Sequence, residues 1–179
     1  MEKSRYCIAA MFSVCLSLAG CDIDTQKESS DFDELKETVN VNNWQFRLHV
    51  ENQNKQKGAD DIGLRNQYLK ATLHLSNTKT KKSLLYSISD DTEDYQVKYK
   101  FLSFGCKDDL YIKYKGDFIY PIGYVFEPSS GLAGSERLVY KFQIDNEIYK
   151  KLKEDNSAVE YWYIDRLIGL GKICFTHNN

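Results

Sequence analysis

The chain has 179 residues, of which 42% are hydrophobic and 13% aromatic, and its formal net charge at neutral pH is −2. This length is typical of one domain preceded by a short leader. Because binding to nucleic-acid phosphates requires clustered Lys and Arg side chains, the mild acidity argues against a nucleic-acid partner. The densest basic run, residues 79–82 (KTKK), lies between two apolar segments and is interpreted as a solvated turn.

Residues 1–20 have the layout of a secretory signal peptide. Lys3 and Arg5 form a short basic lead, and residues 6–19 are apolar or small and carry no charge. A membrane-spanning helix needs about 20 apolar residues, so this run is too short to span, and no other segment of the sequence comes close. The sequence therefore predicts an exported chain whose mature form has no transmembrane helix.

The apolar run ends in Leu18-Ala19-Gly20-Cys21. These residues closely resemble the lipobox of bacterial lipoproteins, in which a leucine, two small residues and an invariant cysteine occupy these positions. The resemblance implies cleavage between Gly20 and Cys21, a diacylglyceryl group on the Cys21 sulfur and acylation, for example by palmitate, of the new amino terminus. Since each buried methylene contributes about 0.8 kcal/mol, two or three acyl chains anchor a protein stably. The alternative is an ordinary signal peptide followed by an unmodified cysteine.

The same resemblance implies a lipid bilayer as partner and a location at the cell membrane, facing the periplasm. Asp22, next to the cysteine, resembles the inner-membrane retention signal of enteric bacteria, which disfavours transfer to the outer membrane. Other phyla follow other rules, so the choice between inner and outer membrane stays open.

Residues 22–39 are polar and acidic, with little apolar content. This composition is typical of a flexible linker, whose reach of about 20 to 25 Å would lift a domain clear of the lipid surface. A short helix over residues 31–38 is the alternative. We therefore predict three parts, namely a signal peptide (1–20), a lipidated flexible tether (21–40) and a β-sandwich domain (41–179).

From Asn43 onward apolar residues recur at every second position, as in strands with one buried face. The predicted strands cover 44–50, 69–75, 95–101, 110–114, 120–126, 138–144, 161–163 and 172–175. This many short strands with regular breaks indicate an all-β antiparallel sandwich or barrel. One short helix is predicted over 146–154, where apolar residues recur at three and four positions behind Asp145 as a possible N-cap.

Two segments carry a further resemblance, LKATLHLSNTKTKKSLLY at 69–86 and GLAGSERLVYKFQI at 131–144. They resemble the early and late strands of bacterial immunoglobulin-like lipoprotein domains, in which an asparagine turn follows an early strand and a small glycine turn precedes a late one. The resemblance implies an antiparallel immunoglobulin-like β-sandwich. It implies no activity, because such folds carry many functions.

The mature chain keeps one pair of cysteines, Cys106 and Cys174, because Cys7 and Cys15 leave with the signal peptide and Cys21 is acylated. Two cysteines in an oxidising compartment predict one disulfide. The alternative is two separate buried thiols. Metal ligation is disfavoured, since the three histidines show no ligand spacing with these cysteines.

Other candidate sites lack the residues that their chemistry needs. Gly169-Leu170-Gly171-Lys172 is not a phosphate loop, because the glycine that the motif requires further upstream is replaced by Arg166 and the magnesium-binding hydroxyl by Ile173. It is interpreted as a glycine turn before the last strand.

His49 and His74 lie on the polar faces of their predicted strands, where they could be neighbours, but no nucleophile motif accompanies them. The acidic clusters at 60–61, 90–94 and 108–109 fit no calcium loop. We therefore predict no catalytic residue, no metal and no cofactor. A pair of carboxylates that meet only in space remains an open alternative.

The sequence Tyr161-Trp162-Tyr163 predicts rings on both faces of one strand. Tyrosine and tryptophan dominate protein-binding hot spots, because they bury a large area while keeping a polar tip. These three residues are therefore the candidate binding surface. The alternative is that core and loops cover both faces of the strand.

The sequence as a whole favours a non-enzymatic, lipid-anchored module that binds a protein partner in the cell envelope. Immunity lipoproteins that neutralise incoming toxins and accessories of envelope assembly both have this design. The alternative is a small tethered hydrolase or ligand-binding lipoprotein that uses the polar loop at 51–67 and nearby carboxylates.

Overall fold

The computed structural model describes residues 23–27, 31–54, 65–80, 82–129 and 134–176. The strands of these segments are β1 (Ile23–Lys27), β2 (Lys36–Val41), β3 (Trp44–Asn52), β4 (Asn66–Asn77), β5 (Leu110–Tyr114), β6 (Asp117–Ile119), β7 (Gly123–Glu127), β8 (Ser135–Asp145), β9 (Val159–Asp165) and β10 (Gly171–Thr176). The helices are α1 (Leu84–Ile88), α2 (Thr92–Phe104) and α3 (Asn146–Glu154).

The strands form two antiparallel sheets. The six-stranded sheet has the order β1-β2-β3-β4-β8-β7, and the four-stranded sheet has the order β10-β9-β5-β6. The first four strands are a simple meander, because each pairs with the next along the chain. Helices α1 and α2 follow β4 and carry the chain to the four-stranded sheet.

Alternation along the strands places one side of each sheet in a common core. In β3, Phe46, Leu48 and Val50 are buried, and in β9 the buried residues are Tyr161 and Tyr163. The rings of Phe46 and Tyr163 lie 6.0 Å apart across the core. The two sheets therefore pack face to face, and an all-β antiparallel sandwich is confirmed at this level.

Helix α3 lies where the sequence predicts it. The side chain of Asp145 accepts a hydrogen bond from the Glu147 backbone N–H at 2.8 Å, which is the expected N-cap. Tyr149 and Leu152 are buried against the core. The period of three and four residues thus identified this element, but of its apolar residues Ile148 is 43% exposed.

The strand predicted over 95–101 is wrong, because these residues belong to α2. Asp91 caps this helix by accepting from the Asp94 N–H at 2.8 Å, and Lys98 pairs with Asp94 at 2.6 Å one turn later. The alternating apolar residues do not share one buried side, since Val97 is 62% exposed. Local capping therefore prevails over the alternating pattern.

The strand predicted over 120–126 is also shorter than expected. Residues 120–122 cross from the four-stranded to the six-stranded sheet, and pairing with β8 begins at Gly123. Pro121 lies within this crossing, where its missing N–H costs no ladder hydrogen bond.

The predicted flexible tether is wrong from Asp31 onward. Phe32 and Leu35 are fully buried, Val39 is nearly so, and β2 pairs with β3 along its whole length. Farther toward the amino terminus, the backbone of β1 pairs with β2. The folded unit therefore begins before residue 41, because a few well-spaced apolar side chains suffice to fix an otherwise polar segment.

A buried polar cluster fastens this amino-terminal segment to α3. The Asp33 carboxylate accepts hydrogen bonds from Tyr149 at 2.5 Å, Lys153 at 2.8 Å and Asn52 at 3.1 Å. Burial by itself raises the pKa of Asp33, but these three donors outweigh that effect and hold the pKa below its ordinary value. The cluster is a structural fastening of the sandwich.

The predicted signal peptide and lipobox, including Gly20 and Cys21, lie outside the described residues. Among the residues that the structure describes, no helix is long and apolar enough to cross a bilayer.

Candidate functional site

The three aromatic residues predicted as a binding surface lie on two different sides of β9. Tyr161 and Tyr163 are each only 1% exposed and belong to the core. Trp162 points to the outer side of the four-stranded sheet and is half-buried. The predicted binding surface is therefore wrong for Tyr161 and Tyr163. Successive side chains of a strand point to opposite sides of the sheet, and the side that carries these two tyrosines is covered by the sandwich core.

Other aromatic residues join Trp162 on that outer side. Tyr111 in β5 is paired directly with Trp162 across the two strands. Phe118 and Tyr120 stand beside Tyr111, with their rings 5.5 and 5.7 Å from the Tyr111 ring. We call the surface formed by Tyr111, Phe118, Tyr120 and Trp162 the aromatic face.

The aromatic face combines buried and exposed rings. Tyr111 is 6% exposed and forms its floor, whereas Phe118 and Tyr120 are 52% and 50% exposed. Large apolar side chains that remain exposed together on one surface indicate a contact region for another molecule. Partly exposed rings above a buried ring also provide a firm surface, since the buried ring restricts their movement.

A charged pair borders the aromatic face. Glu160 accepts hydrogen bonds from Trp162 Nε1 and from Lys113 Nζ, both at 2.9 Å, and Lys113 Nζ also lies 5.6 Å from the centre of the Trp162 ring. The hydrogen bonds from Trp162 and Lys113 lower the pKa of Glu160. These contacts fix the orientation of the indole ring.

The predicted disulfide between Cys106 and Cys174 is wrong in this structure, where both are free thiols. Cys174 is paired with Trp162 on the outer side of the four-stranded sheet. Cys106 is fully buried, and its backbone N–H donates to the Tyr124 hydroxyl at 3.1 Å. Ile173 and Phe175, on either side of Cys174, face the core, so the side chain of Cys174 points to the outer side of the sheet. Cys106 belongs to the core, so the sheet lies between the two sulfurs.

Burial disfavours the thiolate form of both cysteines. Burial raises the pKa of Cys174 to about 12, and burial raises the pKa of Cys106 further, with Asp109 adding to the effect. Since the thiolate is the nucleophile, neither cysteine is suited to covalent catalysis at neutral pH.

The two histidines occupy the outer side of the six-stranded sheet, as predicted. His74 pairs with Arg47, and His49 pairs with Thr72 one step along, so the two histidines are diagonal neighbours. Burial lowers the pKa of His74, and the charge of Arg47 lowers it further. We call this surface the polar face; it includes Lys36, Thr38, Arg47, His49, Lys70, Thr72, His74, Val125, Arg137, Val139 and Lys141.

The glycine turn before β10 binds a carboxylate of the chain itself. Asp165 accepts hydrogen bonds from the backbone N–H groups of Leu167, Ile168 and Leu170 at 2.8 to 3.1 Å. Gly169 adopts a positive φ of 82°, which such a tight turn requires. The amide groups that could attract a phosphate are therefore occupied, in agreement with the rejection of a phosphate loop.

The described acidic clusters have structural roles. Asp91 caps α2, and Asp94 pairs with Lys98. Asp109 is buried beside Arg166, whose Nη2 atom lies 2.8 Å from its Oδ1 atom, and burial raises the pKa of this carboxyl. Asp60, Asp61 and most of the predicted 51–67 loop lie outside the described residues.

Within the described segments, no group of three or more His, Cys, Asp or Glu side chains is arranged to hold a metal ion. The aromatic face is an arrangement typical of a surface that contacts another molecule. Sequence reasoning missed Tyr111, Phe118 and Tyr120. Tyr111 could have been found, because it lies between Leu110 and Ile112, which the alternating pattern assigns to the core.

Comparisons of the chain with protein-family models, with curated proteins and with solved structures found no match. The functional assignment therefore depends on the residues and geometry described above.

Proposed function

We propose that this chain is a lipid-anchored bacterial envelope protein that binds a protein partner through the aromatic face and catalyses no reaction. Two features support the proposal. The lipobox-like sequence ending at Cys21 supports a lipid anchor, and the exposed aromatic cluster supports a binding role.

The observation that carries the binding role is the position of Phe118 and Tyr120 above the buried ring of Tyr111. The outer side of a sheet is a broad surface, which suits contact with another protein better than enclosure of a small molecule. Aromatic anchors with little conformational freedom contribute most of the affinity in such contacts. Trp162 and its neighbour Glu160 extend the same surface with a polar component.

Immunity lipoproteins and envelope-assembly accessories both bind protein partners from a membrane anchor. The aromatic face is compatible with either class, and the identity of the captured partner distinguishes them. We also propose that the sandwich is related to immunoglobulin-like domains. The relationship is supported by the pairing in register of the two segments that carry the resemblance, with Leu73 opposite Leu138.

The anchor is tested by Cys21→Ser. The unchanged chain should remain with the membrane fraction and incorporate labelled fatty acid. The variant should lose the label and appear in the soluble fraction of the periplasm. Membrane association of the variant equal to that of the unchanged chain would contradict the anchor.

The binding role is tested by a double substitution, Phe118→Ala with Tyr120→Ala. Affinity capture from the cell envelope, followed by mass spectrometry, should identify a partner that the variant loses. A matched control exists in Phe104→Ala with Tyr86→Ala, because these residues are 80% and 63% exposed but lie elsewhere on the surface. The control should retain the partner. Equal retention or equal loss in the two variants would argue against the aromatic face.

One observation favours a second candidate, a ligand-binding function on the polar face. An open depression of about 500 Å³ is lined by the side chains of Lys36, Arg47, His49 and His74 and by one acidic residue, Glu37. Positive and neutral nitrogen donors of this kind suit a small anion such as phosphate or a carboxylate. Isothermal titration with phosphate and citrate tests it, and heat that disappears in Arg47→Gln would support it.

A further inference from the structure

Helices α1 and α2 follow each other closely, and contacts with the core and with each other hold them in place. Leu84 and Leu85 of α1 and Leu102 of α2 are fully buried, so both helices are packed on the core. Lys98 Nζ donates to the Asp94 carboxylate at 2.6 Å and to the backbone carbonyl oxygen of Ile88. The end of α1 is therefore tied to the first turns of α2, and the space between the two helices keeps its shape.

A cleft lies where these two helices meet. It is an open depression of about 440 Å³, a size within the usual range of sites for small molecules. Each of its lining residues carries a polar group, and two of them also carry an aromatic ring; they are Tyr86, Ser89, Asp91, Thr92, Tyr95 and Gln96. We call this depression the helical cleft. It is distinct from the aromatic face, which lies on the four-stranded sheet.

The apolar part of the helical cleft is a pair of tyrosine rings. The rings of Tyr86 and Tyr95 lie 5.1 Å apart, and Tyr86 is 63% exposed. Tyr95 stacks on Tyr99, and the Tyr99 ring lies 5.5 Å from that of Phe126 in the core. The exposed ring of Tyr86 is thus the outermost of a row that the core supports. Because the face of an aromatic ring is negative, it attracts the weakly positive C–H groups on the face of a sugar ring.

The polar part of the helical cleft has unused capacity for hydrogen bonds. Thr92 and Gln96 lie one helical turn apart on the same side of α2, and neither side chain forms a hydrogen bond with a described residue. Asp91 caps α2 through its Oδ1 atom, which leaves Oδ2 without a donor among the described residues. The Ser89 Oγ atom is buried and has no partner in the described part of the chain. Hydroxyl groups both donate and accept, so a ligand rich in hydroxyls satisfies all of these groups.

The charged residues near the helical cleft have both signs. Asp94 is paired with Lys98, and the Glu136 carboxylate beneath α1 is buried and accepts from the Leu84 backbone N–H. The exposed charged residues between positions 82 and 100 are Lys82, Asp90, Asp91, Glu93 and Lys100. Because carboxylates and lysines occur together here, the surroundings favour a neutral ligand over an anion.

From these observations we infer that the helical cleft binds a neutral sugar. One face of a pyranose ring lies against the rings of Tyr86 and Tyr95. The sugar hydroxyls form hydrogen bonds with Asp91 Oδ2 and with the side chains of Thr92 and Gln96. The ligand is a free sugar or one unit of a glycan chain, since the open cleft admits both. This site is additional to the aromatic face and rests neither on the lipid anchor nor on the protein partner.

Titration of the full-length chain with methyl β-glucoside, followed by NMR, tests the sugar site. The ring hydroxyls of this sugar are all equatorial, so both faces of its ring are apolar. We expect the backbone amide signals of residues 89–96 to shift. Tyr86→Ala should weaken binding about tenfold, and Gln96→Ala about fivefold. The matched control is Phe104→Ala, because Phe104 lies on the same helix and is 80% exposed but does not line the cleft, and it should leave the affinity unchanged.

The absence of any shift at residues 89–96 would overturn the sugar site, and so would equal affinities of Tyr86→Ala and the unchanged chain. Glucuronate and choline test the class of ligand, since one is anionic and the other cationic. Tighter binding of either than of the glucoside would overturn a neutral ligand. A β-linked trimer of N-acetylglucosamine distinguishes the two sources of the sugar. Tighter binding of the trimer per sugar unit supports a glycan chain in the cleft, whereas equal binding per unit supports a free sugar there.

Discussion

The outer sides of the two sheets are built by the same alternation of residues but differ in chemistry. The polar face of the six-stranded sheet carries lysine, arginine, histidine and threonine side chains. Its exposed ion pair between Arg137 and Glu127, at 2.8 Å, is typical of a solvated surface. On the four-stranded sheet, the aromatic face leaves Phe118 and Tyr120 half exposed to water.

This difference shows that the fold alone does not require an aromatic surface. A solvated face suffices to complete a sandwich, as the six-stranded sheet demonstrates. The exposed rings of Phe118 and Tyr120 lie outside the core, and exposed aromatic clusters of this kind are typical of surfaces that contact another molecule. The comparison is the physical basis for assigning the binding role to the four-stranded sheet.

The largest expected effect separates the two sides of β9. Tyr163→Ala should lower the free energy of unfolding by about 3 to 5 kcal/mol, because it removes a large ring from the core. Trp162→Ala should lower it by only about 1 kcal/mol, since the indole is half-buried on the outer side. Urea unfolding curves measure both. Similar losses in the two variants would mean that both sides of the strand are core.

A smaller effect is expected on the polar face. Arg137→Ala removes an ion pair whose side chains are 52% and 42% exposed, so the free energy of unfolding should fall by less than about 1 kcal/mol. The loss should shrink further as salt is added. A loss above about 2 kcal/mol would contradict a solvated face.

The pH dependence of His74 tests how burial and the charge of Arg47 act within the polar face. Its folded pKa lies below the ordinary value of 6.5, so the unfolded chain binds more protons at this position as the pH falls through that value. The contribution of His74 to stability is therefore complete above pH 6.5 and is lost as the pH falls toward the folded pKa. Titration of the ring by NMR should give a midpoint below 6.5, and one at or above it would contradict the environment described.

The smallest effect concerns the free thiols. Cys174→Ser should leave the free energy of unfolding nearly unchanged under oxidising conditions, whereas loss of a disulfide would cost about 2 to 5 kcal/mol. Non-reducing mass spectrometry should find Cys106 and Cys174 unlinked. A linked peptide containing both would restore the disulfide that the sequence predicted.

Much of the sandwich follows from the period of two residues. Strands predicted around Phe46, Leu73, Ile112, Phe142 and Tyr161 lie within β3, β4, β5, β8 and β9, because the inward residues in the middle of these strands are apolar and buried polar residues occur only near their ends. The helix behind Asp145 was equally accessible, since its cap and period agree.

Each wrong prediction has a physical cause. The alternation at 95–101 predicts a strand, but the cap at Asp91 and the acidic first turn favour the helix that forms. The polar composition around Phe32 predicts a linker, because composition does not show that its few apolar residues are buried through tertiary contacts. The aromatic face was identified only at Trp162, since Phe118 and Tyr120 come from a short edge strand and its exit.

The central claim, that the aromatic face contacts a protein partner, is tested most directly by site-specific cross-linking in intact cells. A photoreactive amino acid is placed at Phe118 in one strain and at Val125, which is 58% exposed on the polar face, in another. We predict a cross-link to one envelope protein from position 118 and none from position 125. Cross-linking from position 125 alone, or equally from both positions, would contradict the account.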